Sequence, residues 1–317
     1  AALAPASAAA NYEVEECIPH ETGAPDATPA TGGSPKIFHA PECLGGIRSG
    51  WGLSLESNGL SSRGEWRAWV FNAPPGTRFV SAQASVHQAP GNGYGALYSG
   101  EGGTFAMQNE WSTVAVTDTS FFAVSLQCFA TQCQSPGDAG DTTLAAGWAF
   151  ITNVEINVRD SAPPSVSASG PVLDGDLKRG QHSVRVVAGD FGGGVREVAV
   201  MVNGVKSRSS TFCSPNQRYG AYTNLIPCPS AVDEDVVLDT EKDPGWANGP
   251  NTVEICATDV AGNLSSCSRH IIDVDNSCPA SGGQPAHQLE SGLDVAGRLV
   301  ARAQTRSVEA PVVRGSL

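Results

Sequence analysis

From about Lys36 to Asp160 the chain reads as short runs in which apolar and polar residues alternate, each closed by Gly, Pro, Asn or Asp. Alternation at period two predicts half-buried strands, and turn residues at such short intervals predict antiparallel pairing. "GEWRAWVFN", "APPGT" and "RFVSAQASVHQ" read as strand, turn and strand. Pro75-Gly76 supplies a preset φ followed by a residue that tolerates positive φ. Further runs follow in "GYGALYS", "GTFAMQ", "STVAVTD", "SFFAVSLQCFA" and "GWAFITNVEINVRD". Helical periodicity with capping residues is absent before Asp160. Residues 36–160 are therefore predicted to form an all-β antiparallel sandwich.

"RDSAPPSVSASG" reads as the boundary, because Pro163-Pro164 imposes an extended crossing without N–H donors. Beyond it, "HSVRVVAGD", "GVREVAVMVNG", "VDEDVVLD", "NTVEICATD" and "CSRHIIDVDN" give at least five strands within about 100 residues, the spacing of an immunoglobulin-like sandwich over 161–278. Val198, Val200 and Val202 share one face of their strand, as do Val253 and Ile255, so each can present an apolar side to a facing sheet. Residues 11–35, rich in Pro, Gly, Thr and Ala, read as an extended leader. "CPASGGQPAHQ" reads as a linker, and 279–317 as that linker plus the start of a third β module.

Composition sharpens this picture. Charged residues are 16%, below the usual figure of about 25%, while 36 Gly and 21 Pro mark a turn-rich chain. A net charge of −13 without a Lys/Arg stripe argues against nucleic acid as a partner. No apolar run reaches the roughly 18 residues of a transmembrane span. Residues 1–10, with an Ala-x-Ala pattern at Ala8 and Ala10, read as the remnant of a secretory signal peptide. Nine cysteines without a C-x-x-C fit oxidised pairs in an exported chain.

The cysteine pairs follow from proximity. A hairpin centred between Ala261 and Gly262 in "NTVEICATDVAGNLSSC" sets Cys256 opposite Cys267 and Glu254 opposite Arg269. Directly opposed Cα atoms are close enough for a bridge. Cys256 and Glu254 alternate away from Val253 and Ile255, which places staple and charge pair on the outer face. Cys213 with Cys228 and Cys128 with Cys133 close loops, and Cys17 has Cys43 as its nearest partner. Cys278 is left over: either it pairs beyond this sequence or one assignment is wrong.

"ATDVAGN", preceded by "NTVEI" and followed by a strand ending "DVDN", resembles the last hairpin of bacterial immunoglobulin-like domains from large exported surface proteins. "AGDFGGGVREVAVMVNG" resembles their earlier hairpin. The resemblance covers about 165–276 and implies turn chemistry at Asp190 and Asp259, whose carboxylates accept backbone N–H bonds. It also implies left-handed conformations at Gly262 and Asn263. Residues 36–160 are similar to the jelly-roll-like sandwiches that precede such domains.

Signatures of chemistry are scarce. The histidines at 20, 39, 87, 182, 270 and 287 are scattered without H-E-x-x-H, and G-x-S-x-G is missing, so no catalytic residue is assigned and the chain is expected not to be an enzyme. In "VDEDVVLDTEKD", Asp233, Asp235 and Asp239 are the candidate ligands for Ca²⁺, which takes about six to eight oxygens; a solvated acidic face is the simpler account. No other cofactor is expected. Trp51, Trp66, Trp69, Tyr94, Tyr98 and Trp111 are candidates for stacking on sugar rings, with core packing as the alternative. Trp66 and Trp69 fall on opposite faces of one strand, so at most one is core. Three classes remain: a structural or adhesive surface module whose partner is a surface protein or polysaccharide, a carbohydrate-binding module, and an accessory part of an extracellular hydrolase. The first is expected.

Overall fold

The structure is a computed structural model that describes residues 10–17, 26–33, 37–40, 53–57, 60–89, 93–133, 147–218, 220–277, 289–293 and 299–303. Residues 1–275 form one compact unit and 276–317 another. The second unit contains a hairpin of Leu289–Leu293 with Leu299–Ala303. The expected signal remnant before Ala10, Trp51, Cys43 and Cys278 lie outside the described residues.

The larger unit holds two tandem β-sandwiches. The first comprises β1 (Ala10–Glu16), β2 (Thr28–Gly32), β3 (Ile37–Ala40), β4 (Leu53–Ser57), β5 (Ser61–Ser62), β6 (Trp66–Asn72), β7 (Thr77–Ala89), β8 (Tyr94–Gly100), β9 (Gly103–Ala106), β10 (Trp111–Thr119), β11 (Phe121–Cys128), β12 (Gln132–Cys133) and β13 (Trp148–Asp160). One sheet runs β10-β7-β13-β4-β3, with β1 also on β13, and the other runs β2-β6-β11-β8-β9. Phe71, Phe122 and Leu126 of the second sheet and Phe79, Leu55 and Ile156 of the first are fully buried in one core. Strand β13 changes partner part-way along one edge. It pairs with β4 through Trp148–Ile151 and with β1 through Val154–Asp160, the change lying beside a bulge where Asn153 takes φ 48°.

Residues 11–35, expected as an extended leader, thus supply β1 and β2 as integral strands. The alternation of β1 is Tyr12, Val14 and Glu16 inward. An inward-facing glutamate hid that pattern in the sequence.

The second sandwich comprises β14 (Ser165–Ser169), β15 (Gln181–Gly189), β16 (Val195–Val202), β17 (Val205–Thr211), β18 (Ala231–Asp239), β19 (Gly249–Asp259) and β20 (Ser268–Val274). Its sheets run β14-β15-β18 and β17-β16-β19-β20. Val184, Val186 and Leu238 face Val198, Val200, Val202, Val253, Ile255 and Ile272 across the core, the period-two pattern of the valines. Strands β14 and β17 are edges, and their Ser-rich sequences carry too little apolar alternation to stand out.

Bridges join Cys128–Cys133, Cys213–Cys228 and Cys256–Cys267. Cys17 is also disulfide-bonded, and its expected partner Cys43 lies outside the described residues. Glu254 opposes Arg269 in the β19–β20 register, with an exposed ion pair at 3.8 Å. Cys256 is 7% exposed and Cys267 half-buried, so the staple is covered at one end and reaches solvent at the other. These disulfides fit an oxidising compartment. No helix among the described residues is long and apolar enough to cross a membrane.

Candidate functional site

The two sandwiches share a buried seam. Tyr222, Leu225, Cys228 and Val260 from the second belong to the same apolar cluster as Tyr12, Val14 and the core of the first. Tyr12 donates its hydroxyl to the Leu225 carbonyl at 2.7 Å and meets the Tyr222 ring edge-on. Backbone bonds run both ways between β1 and the Cys213–Cys228 loop, from Glu15 N–H to the Tyr222 carbonyl and from Tyr222 N–H to the Glu13 carbonyl. Asp26 accepts from the Leu225 N–H. Lost backbone pairing is costly in a buried seam, so these bonds fix the loop against β1.

At the end of that seam three carboxylates converge. Asp160 closes β13, Asp190 follows β15 and Asp259 closes β19. One oxygen from each lies within 4.8 Å of the others, and all three residues are buried. Asp160 Oδ1 accepts from Ala162 N–H and its Oδ2 from Gly193 N–H. Asp190 Oδ2 accepts from the N–H groups of Gly192 and Gly194, both at 2.9 Å. Asp259 Oδ1 accepts from Asn263 N–H and its Oδ2 from the Asn263 amide, which also donates to the Asp160 carbonyl at 3.0 Å.

The glycine run "FGGG" follows from this geometry. A Cβ on Gly192 would lie 1.7 Å from Asp160 Oδ2. Gly194 takes φ 93°, and a Cβ there would lie 2.2 Å from the Cys228 carbonyl oxygen. Only a residue without a side chain lets the loop wrap this closely.

Burial dominates the electrostatics of the seam. It pushes the Asp259 carboxyl up to about 6, partly offset by the donors of Asn263 and reinforced by Asp160 and Asp190. Asp160 moves the same way, chiefly through burial. The Tyr12 hydroxyl is raised far above its usual range by burial and by the nearby carboxylates, so it stays a donor. Among the described residues no Lys, Arg or His forms an ion pair with Asp160, Asp190 or Asp259.

Three sequence expectations need correction. Asp233, Asp235 and Asp239 do not form a ligand set. Asp233 is engaged by the Arg185 guanidinium through two bonds, and Asp239 accepts from Gln181 and Glu241 in its own turn. Asp233 and Asp239 also stand at opposite ends of β18, about 20 Å apart at roughly 3.3 Å per residue. Asn263 is not left-handed; its side chain ties Asp259 to Asp160, while Gly262 takes φ 95°. Trp69 and Tyr94 cannot stack on a sugar, being 2% and 4% exposed.

The other aromatics are divided. Trp66 is half-buried beside Gly32, and Tyr98 stacks on Phe105. Trp111 is 63% exposed and stacks on His87 at 3.6 Å, with Trp148 edge-on to the same imidazole. Asp190 and Asp259 were legible as turn residues, whereas their meeting with Asp160 was missed. Nothing local links positions 160, 190 and 259 except that each ends or follows a strand.

No protein-family model matches the chain, and no curated protein matches it. Among solved structures, the fibronectin(III)-like modules of Clostridium thermocellum CbhA align with 71% of this chain and 93% of their own, at 10% identity and a TM-score of 0.26. A GH2 beta-galacturonidase from Eisenbergiella tayi, bound to galacturonate, aligns with 80% of this chain and 44% of its own, at 10% identity and a TM-score of 0.20. A GH2 beta-galacturonidase from Eisenbergiella tayi bound to glycerol aligns with 90% of this chain and 46% of its own, at 10% identity and a TM-score of 0.19. Overlays this loose carry nothing about activity.

Proposed function

We propose that the chain is a secreted, non-catalytic module whose tandem β-sandwiches act as a rigid spacer and contact surface of a larger exported bacterial protein. The shared apolar cluster across the seam carries this reading, because a hinge between the sandwiches would expose Tyr12, Val14, Tyr222 and Leu225 together. Disulfide closure of the loop that grips β1 supports an extracellular setting. The test is small-angle scattering on the whole chain together with turnover assays on a glycoside panel. A single rigid particle over the two sandwiches and no turnover are expected. Independent tumbling of the sandwiches, or hydrolysis of any glycoside, overturns the proposal.

A second reading has one observation in its favour. Trp111, exposed and stacked on His87, offers a flat apolar surface bordered by Glu110, whose carboxylate lies 3.2 Å from His87 Nε2. Such a surface suits a sugar ring, with polar groups at its rim to meet hydroxyls. Binding on a glycan array that is lost in Trp111→Ala would support a carbohydrate contact; an array without signal would remove it.

A further inference from the structure

We infer that Asp160, Asp190 and Asp259 bind one Ca²⁺ ion at the seam between the sandwiches. This goes beyond the spacer reading and stands on different observations. Three carboxylates from three strand ends lie within 4.8 Å of one another, and no cationic side chain among the described residues pairs with them. Unpaired buried ions are strongly unfavourable, so the arrangement calls for a compensating positive charge.

The second observation is Asp190 itself. It is 7% exposed, and although Oδ2 takes two backbone N–H bonds, Oδ1 is buried and meets no hydrogen-bond donor. A buried carboxylate oxygen without a partner is rare in a folded chain, and a cation at this point would satisfy it. The other oxygens of the cluster are held in place by Ala162, Gly193 and Asn263, so the site is built before any ion arrives.

The donor chemistry selects the ion. All three groups are hard carboxylate oxygens, with no Cys or His among them, which excludes a soft thiolate or imidazole site. Oxygens that all lie within 4.8 Å of one another are near enough to share one Ca²⁺, whose donors sit at about 2.3–2.6 Å in a flexible geometry. Mg²⁺ demands a strict octahedron and keeps several of its waters, which suits a buried set of three protein carboxylates less well. Bound here, the ion would tie the end of β13 in the first sandwich to the β15–β16 and β19–β20 loops of the second.

The test is calorimetric titration of the whole, EDTA-stripped chain with CaCl₂ and separately with MgCl₂, alongside thermal melts in each. One Ca²⁺ per chain is expected, with a melting temperature that rises with calcium and little response to magnesium. Asp190→Asn should weaken Ca²⁺ at least tenfold, whereas Asp233→Asn, in the surface acids of β18, should bind as the parent does. No calcium heat and no melting shift in the unsubstituted chain overturn the inference whether or not the variants fold. Equal loss in Asp190→Asn and Asp233→Asn, or tighter Mg²⁺ than Ca²⁺, overturns it too.

Discussion

Asp233 and Asp235 sit two positions apart on β18, whereas Asp160, Asp190 and Asp259 come from three separate strand ends, yet only the second group converges. Neighbours of like parity on a strand point the same way and stay roughly 7 Å apart, spread along a flat, wet face. There Asp233 finds Arg185 and needs nothing more. Strand ends behave differently. A turn gathers its N–H groups around a carboxylate, and stacking two sandwiches end to end brings several such turns together. Linear density of acids is thus a poor guide to a cation site, and a carboxylate at a strand terminus beside glycines is a better one.

The comparison is open to direct attack, and the largest effect is expected at Gly192. Gly192→Ala drives a methyl group into Asp160 Oδ2, which backbone donors hold in place, and should cost at least about 3 kcal/mol in urea unfolding. An unchanged midpoint would mean that the loop does not wrap the carboxylate. A smaller loss, about 1–2 kcal/mol, is expected for Tyr12→Phe, which leaves the buried Leu225 carbonyl without its hydroxyl donor. Wild-type stability in that variant would show the seam to be apolar contact alone.

The subtlest test uses pH, because buried and exposed acids should carry opposite signs. Glu16, 3% exposed and bonded through Oε2 to the Asp26 N–H, is pushed up to about 8, first by burial and then by Asp26. Its folded-state value lies above the unfolded one. Its contribution is therefore fully present below about 4.5 and lost as pH rises through about 8. Asp233 is lowered, first by its hydrogen bond to Arg185, so its contribution is present above the ordinary aspartate range and lost as pH falls. Glu16→Gln should raise the urea midpoint at pH 8.5 and leave it unchanged at pH 4.5. A uniform shift at both values would show that burial does not raise Glu16 above its ordinary range.

Much of the fold was legible in the residues. Val198, Val200 and Val202 announced a strand with one buried face, and the symmetric placing of Cys256 and Cys267 about Ala261-Gly262 encoded the β19–β20 register. Strand β1 was not legible, since Glu16 occupies an inward position that the alternation reserves for an apolar side chain. Strand β14 was hidden by its serines and by the prolines before it. Of the site, Asp190 and Asp259 could be recognised one at a time from their turns. Their common destination could not, because it is set by how the two sandwiches stack, a property no short window contains. Asn263 shows the same limit: a turn asparagine suggests a special backbone conformation, and here its amide links two acids instead.

The grip of Tyr12 on Leu225 spans 213 positions, and this orders events during synthesis. A ribosome releases β1 long before β13 and the Cys213–Cys228 loop exist to receive it, so β1 must wait for partners made much later. Until then the nascent chain presents an unsealed sheet edge, open to chaperones and to misdirected pairing. Separating the two sandwiches at Pro163-Pro164 would leave that edge unsealed for good, and the amino-terminal fragment should precipitate where the joined chain stays dissolved.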